Sequence, residues 1–397
     1  MRTRSHCIAV ILIVSIILAY TAGTTGQVPP TDYYVGYELS FSRTIANKGP
    51  VTIDLTLNEL TTPTTSLFMN DSSQVVKLIS SSHKVTTSAD PDGNLVGILQ
   101  VERMLKPGQS VTIETSFKAF PRMTQKRRFE WNPELEYSRS GLKQDIPKEL
   151  TEKYCSSSGP WRINDADQSW LSVRRLAFKL AGNETNVLKA VMRLVEWTGQ
   201  NVKYPSVKGD RILLPNETLT VLEGDCDEQA NLIISFCRTL GIPAYLQYGC
   251  MYLPSKVEKV SKFDGRLSFH FDRIGWHAWA MIYVPPWEWL PVDMTIGYSK
   301  EDAFLAIQAA APQTLSTIIS GNYFMADYVT EANYFGEQLK RTEVRIEQKE
   351  TMKPIAISPE YQATAAVLAT TITLVGFGVS IVATYVILRR RSKNRLG

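Results

Sequence analysis

Cysteine is scarce in this sequence, which has five cysteines among 397 residues. One lies near the N-terminus, and the other four are too few for the disulfide scaffold of a chain this long. No two of them stand as Cys-x-x-Cys, which argues against a zinc ribbon. Cys155 and Cys250 are left as a candidate disulfide pair, and Cys237 is interpreted as a small buried side chain. We expect neither a metal nor another cofactor.

Acidic residues are missing from both ends of the chain, and each end contains a long apolar run. Residues 1–27 carry Arg2 and Arg4 before their apolar run, which is the layout of an export signal. Residues 363–388 contain no charge and would measure roughly 39 Å as a helix, enough to cross a bilayer. Cations follow in residues 389–397, so we expect this tail in the cytoplasm and the body outside. The sequence therefore predicts a single-pass cell-membrane protein.

The body between these ends is nearly balanced in charge. The chain has 43 Lys and Arg against 39 Asp and Glu, and seven of the cations lie in the two ends. The body therefore holds 36 cations against 39 acids, a net charge of −3. Because the positive charge comes from the ends, the sequence predicts no nucleic-acid surface.

Hydrophobic patterning divides the chain into seven segments. The runs Val51–Asn58 and Val111–Phe117 alternate apolar and polar residues, as strands with one buried face do. Turn-forming segments between such runs favour an immunoglobulin-like β-sandwich with a structural or partner-binding role. The predicted segments are a signal at 1–27, the β-sandwich at 28–122, a linker and helical approach at 123–184, a core at 185–300, an extension and stalk at 301–358, a transmembrane helix at 359–388 and a basic tail at 389–397.

The segment EGDCDEQANLIISFCRTLGIPA, residues 223–244, places a cysteine where a turn leads into a helix. Apolar residues from Ala230 onward recur at helical spacing, and Gly241 and Pro243 end the pattern. Cys226 therefore lies at or near the helix N-terminus, where backbone N–H groups and the helix dipole favour a thiolate. Such a thiol is a candidate nucleophile if the chain also supplies a base and an orienting group.

A later segment supplies both groups. Residues 276–284 (WHAWAMIYV) and 287–295 (WEWLPVDMT) are strand-like on either side of a Pro-Pro break, and they predict a hairpin centred on Pro285. In that hairpin His277 and Asp293 lie directly opposite each other on one face, with Cβ atoms about 5 Å apart. An imidazole held by a carboxylate is the base and orienting group of a nucleophilic site.

Two other histidines are weaker candidates for the base. His270 lies seven residues before His277 but has no acid at the matching hairpin distance. We therefore expect His270 in a loop or on the surface. His83 falls in the expected sandwich and is interpreted as incidental.

Three motifs, in this order, resemble the transglutaminase-like superfamily. They are Gly-Asp-Cys before a helix that ends in Leu-Gly-Ile-Pro-Ala, then Trp-His-Ala-Trp, then Pro-Val-Asp-x-Thr. The resemblance covers roughly residues 185–300 and implies an α+β fold whose papain-like core packs a helix on an antiparallel sheet. It implies that Cys226 is the nucleophile, His277 the base and Asp293 the orienting acid. The order of sandwich, core and transmembrane helix is similar to membrane-anchored prokaryotic surface members.

Two functional hypotheses follow from this resemblance. The first is a membrane-anchored thiol enzyme that acts outside the cytoplasm on peptide or glutamine amide bonds through a cysteine thioester, with hydrolysis or acyl transfer to an amine left open. The second is a non-catalytic surface binding or scaffold protein with the same fold. The expected partners are a protein or peptide substrate and the membrane, and the oligomeric state stays open. No calcium-loop pattern is present, so the calcium dependence of animal transglutaminases is not carried over.

Overall fold

The structure is a computed structural model that describes most of the chain between residues 36 and 356. The described ranges are 36–55, 64–71, 73–121, 136–205, 209–296, 298–300, 302–308 and 317–356. The expected signal at 1–27 and the expected transmembrane helix at 359–388 lie outside them. Within the described ranges, no helix combines the length and the apolar character needed to cross a membrane.

The described residues form strands mainly at the two ends of this region, with most of the helices between them. The strands are β1 Gly36–Asn47, β2 Ile53–Asp54, β3 Thr64–Ser66, β4 Gln74–Ser81, β5 Val85–Ala89, β6 Leu95–Leu99, β7 Met104–Leu105, β8 Ser110–Pro121, β9 Ala244–Lys262, β10 Leu267–Val284, β11 Glu288–Val292, β12 Thr317–Tyr323 and β13 Val344–Ala356. The helices are α1 Lys148–Tyr154, α2 Gln168–Ala181, α3 Val187–Asn201, α4 Pro215–Val221, α5 Cys226–Thr239, α6 Leu305–Gln308 and α7 Tyr328–Lys340.

One eight-stranded sheet joins the N-terminal strands to those of the core. Its order is β12-β9-β10-β13-β1-β8-β4, and β11 pairs with the second half of β10. β13 lies parallel to the first half of β10 and antiparallel to β1, so it connects the two parts of the sheet. The sequence places β13 in an extension and stalk, whereas the structure places it in the interior of the sheet.

The buried side chains also join the two parts of the chain. One hydrophobic cluster contains Ile45 of β1 together with Ile346 of β13, and another contains Phe117 of β8 together with Ile274 of β10. Two small sheets, β2-β7 and β3-β6-β5, accompany the large one. The expected sandwich of residues 28–122 therefore shares its sheet and its cores with the segments that follow it, instead of closing on itself.

The helical layer positions the candidate nucleophile. α5 packs against β9 and β10, and its sequence CDEQANLIISFCRT buries side chains on nearly every side from its third residue onward. A helix buried all round is typical of the centre of a protein. α2, α3 and α4 cover α5, as expected for a helix with a broad apolar surface. The combination of a central helix with the antiparallel strands β9, β10, β11 and β12 is the mixed α and β architecture that the sequence predicts for the core.

Candidate active site

Cys226 is the first residue of α5, as the sequence predicts. Asp225 is the N-cap, and Glu228 is the third residue of the helix. Oε2 of Glu228 accepts the backbone N–H of Asp225 at 2.8 Å, which is the half of a capping box that the acid supplies. The other carboxylate oxygen of Glu228 accepts the N–H of Leu213 at 2.8 Å. The thiol therefore lies at a helix start that is fixed from two directions.

The immediate surroundings of Cys226 are acidic. The ligand atoms of Asp225, Cys226 and Asp227 all lie within 4.8 Å of one another. Burial, and then a hydrogen bond with Asp225, raise the pKa of Asp227 well above its usual value, because two neighbouring carboxylates share a proton more easily than they both ionise. The helix dipole favours a thiolate at this position, but these carboxylates oppose it. The thiolate therefore depends on a group that accepts the thiol proton.

Two tyrosines complete the surroundings of the thiol. Burial raises the pKa of Tyr248 and of Tyr328 well above the usual value, and the charges of Asp227 and Cys226 add to the effect at both residues. Tyr328 Oη accepts a hydrogen bond from Nδ2 of Asn231 at 2.6 Å. Both hydroxyls thus stay protonated near neutral pH.

His277 and Asp293 form a buried pair. Nε2 of His277 lies 2.5 Å from Oδ2 of Asp293, and their side chains are 7% and 4% exposed. Oδ1 of Asp293 accepts hydrogen bonds from N and Oγ1 of Thr295, each at 2.9 Å, and from N of Ile296 at 3.3 Å. The turn after β11 therefore fixes the carboxylate with one oxygen toward the ring. Because a carboxylate only accepts, Nε2 carries the proton and Nδ1 is the basic nitrogen.

The register of the hairpin differs from the predicted one. β10 and β11 pair Ala280 with Val292, which centres the turn one residue later than predicted. Asp293 follows the last residue of β11, so the predicted direct opposition to His277 is wrong and the two residues are diagonal neighbours. Moving the centre by one residue changes each partner by two, and a change of two keeps a side chain on the same face. The pair therefore survives the change in register.

One cavity of about 1050 Å³ collects the reactive side chains. Cys226, His277 and Thr295 line it, and Asp293 lies behind the imidazole rather than in the lining. Phe41 of β1 belongs to its wall, so the N-terminal strands contribute to the same cavity. The structure thus brings the predicted thiol and the predicted base to one space, with the predicted acid bonded to the base.

The other histidine and cysteine candidates lie elsewhere. Nε2 of His270 is 3.1 Å from Oε1 of Glu347, so this ring pairs with a half-exposed carboxylate on β13 and does not line the cavity. His83 bonds the neighbouring Ser82 in the loop between β4 and β5. Cys155 and Cys250 are both thiols, so the candidate disulfide between them is not formed.

Sequence reasoning does not identify the residues that orient this site. Glu228 fixes the start of α5, and Thr295 fixes the carboxylate of Asp293. Both residues belong to local sequence patterns that could have identified them. An acid three residues after a capping Asp is the capping-box pattern, and an Asp two residues before a Thr is typical of a turn in which the carboxylate accepts N–H groups.

Comparison with known proteins finds a family model that resembles the core. Residues 174–294 match the family model described as the transglutaminase-like superfamily. The comparison with curated proteins gives no match. Among solved structures, a candidate cysteine protease from Cytophaga hutchinsonii is similar at 14% identity over 82% of this chain and 92% of that chain, with a TM-score of 0.46.

A second solved structure is less similar. It is a candidate protease from Parabacteroides distasonis, with 10% identity over 66% of this chain and 67% of that chain, and a TM-score of 0.23. Both TM-scores are below 0.5, so neither likeness bears on function. The family model covers the helix and the hairpin that carry Cys226, His277 and Asp293. Residues 174–294 of this chain are therefore similar to the transglutaminase-like superfamily.

Proposed function

We propose that this protein is a thiol enzyme in which Cys226 is the nucleophile, His277 the general base and Asp293 the group that orients the base. The observation that supports this role best is the buried hydrogen bond between His277 and Asp293. The ring of His277 lines the same cavity as Cys226. A buried imidazole fixed by a carboxylate, in a cavity that also contains a thiol at a helix N-terminus, suits proton transfer from sulfur.

The proposed reaction is acyl transfer from an amide. Nδ1 of His277 takes the proton of the Cys226 thiol while sulfur bonds the amide carbon, and the negative oxygen of the intermediate faces the backbone N–H of Cys226. His277 then gives the proton to the departing nitrogen as the C–N bond breaks, which leaves a thioester and a free amine. Water, or a second amine, attacks the thioester as it loses a proton to His277. The C–S bond then breaks, and the sulfur takes that proton back from His277 and leaves as the thiol.

We also propose that the enzyme is anchored in the cell membrane with its body outside the cytoplasm. The support lies in the sequence, because residues 363–388 contain no charge and five cations follow them in the tail. An enzyme in this position would meet protein or peptide amides of the cell surface. The prokaryotic surface members that the sequence resembles have the same layout.

Selective alkylation of Cys226 tests whether the thiol is activated. We expect iodoacetamide at neutral pH to modify Cys226 at least about 100-fold faster than Cys155, because burial raises the pKa of the Cys155 thiol to about 12. The variant His277→Ala should slow the reaction of Cys226 at least about tenfold, because the thiol loses its proton acceptor. Rates are read by mass spectrometry of the peptides that contain each cysteine.

The matched control for this experiment is His270→Ala. His270 lies on the same strand but pairs with Glu347, so its loss should leave the Cys226 rate unchanged. A non-catalytic scaffold predicts a different outcome, in which Cys226 reacts slowly and His277→Ala has no effect on its rate. That outcome would favour the surface-binding alternative.

Product analysis tests the reaction itself. The purified full chain is incubated with a glutamine-containing peptide and a primary amine, with Cys226→Ala as the control. We expect products that depend on Cys226, and mass spectrometry distinguishes peptide cleavage, deamidation of glutamine and attachment of the amine. If none of these products forms at Cys226-dependent rates over a range of peptides, the proposed activity is rejected.

A further inference from the structure

The cavity that contains Cys226 and His277 is larger than one amide group requires. Its volume of about 1050 Å³ lies at the upper limit of ligand pockets, and it extends from the start of α5 to residues of β1, β3, β8 and β13. Phe41, Phe68 and Trp276 line the part near the N-terminal strands, and the rings of Phe68 and Trp276 stack with centroids 6.3 Å apart. This region has room for the parts of a substrate next to the reacting amide.

Four cations line this cavity, and three of them have charged or carbonyl partners at their terminal nitrogens. Arg211 pairs with Glu217 at 2.9 Å and Lys256 pairs with Glu258 at 2.8 Å. Lys262 donates to the carbonyl of Gly209 at 3.1 Å. The fourth cation, Arg43, lies in the aromatic part of the cavity. It differs from the other three in what its guanidinium contacts.

Arg43 is held by its Nε atom. Nε donates to Oε1 of Gln348 on the adjacent strand β13 at 2.9 Å, and among the described residues the two Nη atoms make neither a hydrogen bond nor an ion pair. Burial lowers the pKa of Arg43, and the charge of Glu350 acts in the opposite direction. The guanidinium is therefore oriented from one side, while its two terminal nitrogens are available to a ligand in the cavity.

Glu350 does not satisfy this guanidinium. It is 2% exposed, one of its carboxylate oxygens accepts the Trp276 indole N–H, and the other accepts Nε2 of Gln348 at 2.5 Å. Neutral donors thus bind both oxygens, and Glu350 acts on Arg43 through its charge rather than through a hydrogen bond. The Nη atoms of Arg43 are therefore the charged donors that a ligand can meet in this part of the cavity.

We infer that Arg43 binds a carboxylate of the substrate, with the Nη atoms donating to its two oxygens and the surrounding aromatic rings contacting the adjoining apolar part. Planar carboxylates match the guanidinium fork, and removal from water strengthens the contact. This inference rests on the proposed function, since it names the substrate class of the same cavity. The carboxylate belongs either to the C-terminus of a peptide or to an acidic side chain.

Binding to the full chain with Cys226→Ala tests the inference without turnover. The probes are dye-labelled Phe-Gln-Ala with a free C-terminal acid, the same peptide as its C-terminal amide, and the amide peptide with a glutamate in place of alanine. We expect at least one carboxylate peptide to bind about 10- to 100-fold more tightly than the neutral amide, measured by fluorescence anisotropy. The two carboxylate probes distinguish a C-terminal acid from an acidic side chain.

Substitutions test whether Arg43 causes the preference for the carboxylate peptide. Arg43→Gln should reduce the affinity for the carboxylate peptide to that of the amide, and Arg43→Lys should retain part of it, because charge remains without the fork. Arg345→Gln, which removes an exposed cation of β13, should leave the preference intact. Thermal melting checks that each variant folds. The comparison of the acid peptide with the amide peptide uses the chain that retains Arg43, so it does not depend on the folding of an Arg43 variant.

The outcomes separate this inference from the proposed function. Equal binding of acid and amide peptides, no binding of either, or a preference that survives Arg43→Gln would overturn the role of Arg43. These measurements use a chain without its nucleophile, so they do not depend on catalysis. Rapid alkylation of Cys226 together with equal binding would leave the enzyme proposal in place and reject the substrate class.

Discussion

The variant Asp293→Asn is expected to lower kcat about 10⁴-fold while the protein stays folded. The reason lies in how the carboxylate is held. Three donors of the turn, from Thr295 and Ile296, converge on Oδ1, and Oδ2 alone faces the ring of His277. An asparagine keeps its oxygen toward the three donors, which places its NH₂ group against Nε2.

The amide at position 293 then imposes the wrong tautomer on His277. A donor facing Nε2 requires that nitrogen to accept, so the ring proton moves to Nδ1. Nδ1 can no longer take the proton of Cys226, and the imidazolium that forms in the reaction also loses its carboxylate partner. The base is therefore present, correctly placed and inactive.

Steady-state kinetics and the alkylation rate of Cys226 against pH check this prediction. Asp302→Asn is the matched control, because Asp302 is an exposed acid whose Oδ1 likewise accepts a backbone N–H, from Phe304 at 3.0 Å. The control should have wild-type kinetics, and both variants should melt close to the wild-type temperature. An Asp293→Asn protein with nearly full activity would show that the carboxylate does not set the tautomer.

The site was predictable from the sequence because its parts depend on local patterns. The start of α5 at Cys226 follows from a turn before a helical repeat, and the structure has the helix begin at that residue. The pairing of His277 with Asp293 follows from two strands of equal length around a Pro-Pro break. The exact register was not predictable, since the turn geometry decides it, but an even change in register preserves the face.

Local capping was predicted less well than helix position. Apolar residues at helical spacing between 187 and 195 predict a helix at about 185–200, with Asn183 or Thr185 as the candidate N-cap. The structure has this helix, α3, at Val187–Asn201 with Asn186 as its N-cap. Several residues near a helix start have side chains that can accept an N–H group, so the sequence alone does not select among them. The apolar face, which spans several turns, is a stronger signal than a single cap.

The continuity of the sheet could not be predicted. The polar composition of residues 254–272 predicts a loop, but in the structure β9 continues to Lys262 and β10 begins at Leu267. These residues are strand because β9 and β10 pair with each other there, and β10 also pairs with β13, about 80 residues later in the chain. Pairing between distant segments leaves no local pattern, so the sequence predicts a separate sandwich where the structure has shared strands.

Removal of Cys226 and His277 together is expected to lower kcat no more than removal of either residue alone. If sulfur and imidazole act as one unit, Cys226→Ala and His277→Ala each lower kcat about 10⁵-fold or more, and the double variant falls to the same residual rate. The acidic surroundings strengthen this expectation. Asp225 and Asp227 oppose a thiolate, so the sulfur without His277 is largely a thiol, and the imidazole without the sulfur has no proton to take.

Cleavage or amine transfer by the three variants, measured at equal protein concentration, tests this non-additivity. Cys155→Ala, His270→Ala and their double variant form the matched control set, because these residues offer the same chemical groups away from the pair of His277 and Asp293. All three controls should retain wild-type rates. If the double variant of Cys226 and His277 is slower than the wild type by the product of the two single effects, the two residues act independently. Proton transfer between them would then not be the source of the nucleophile.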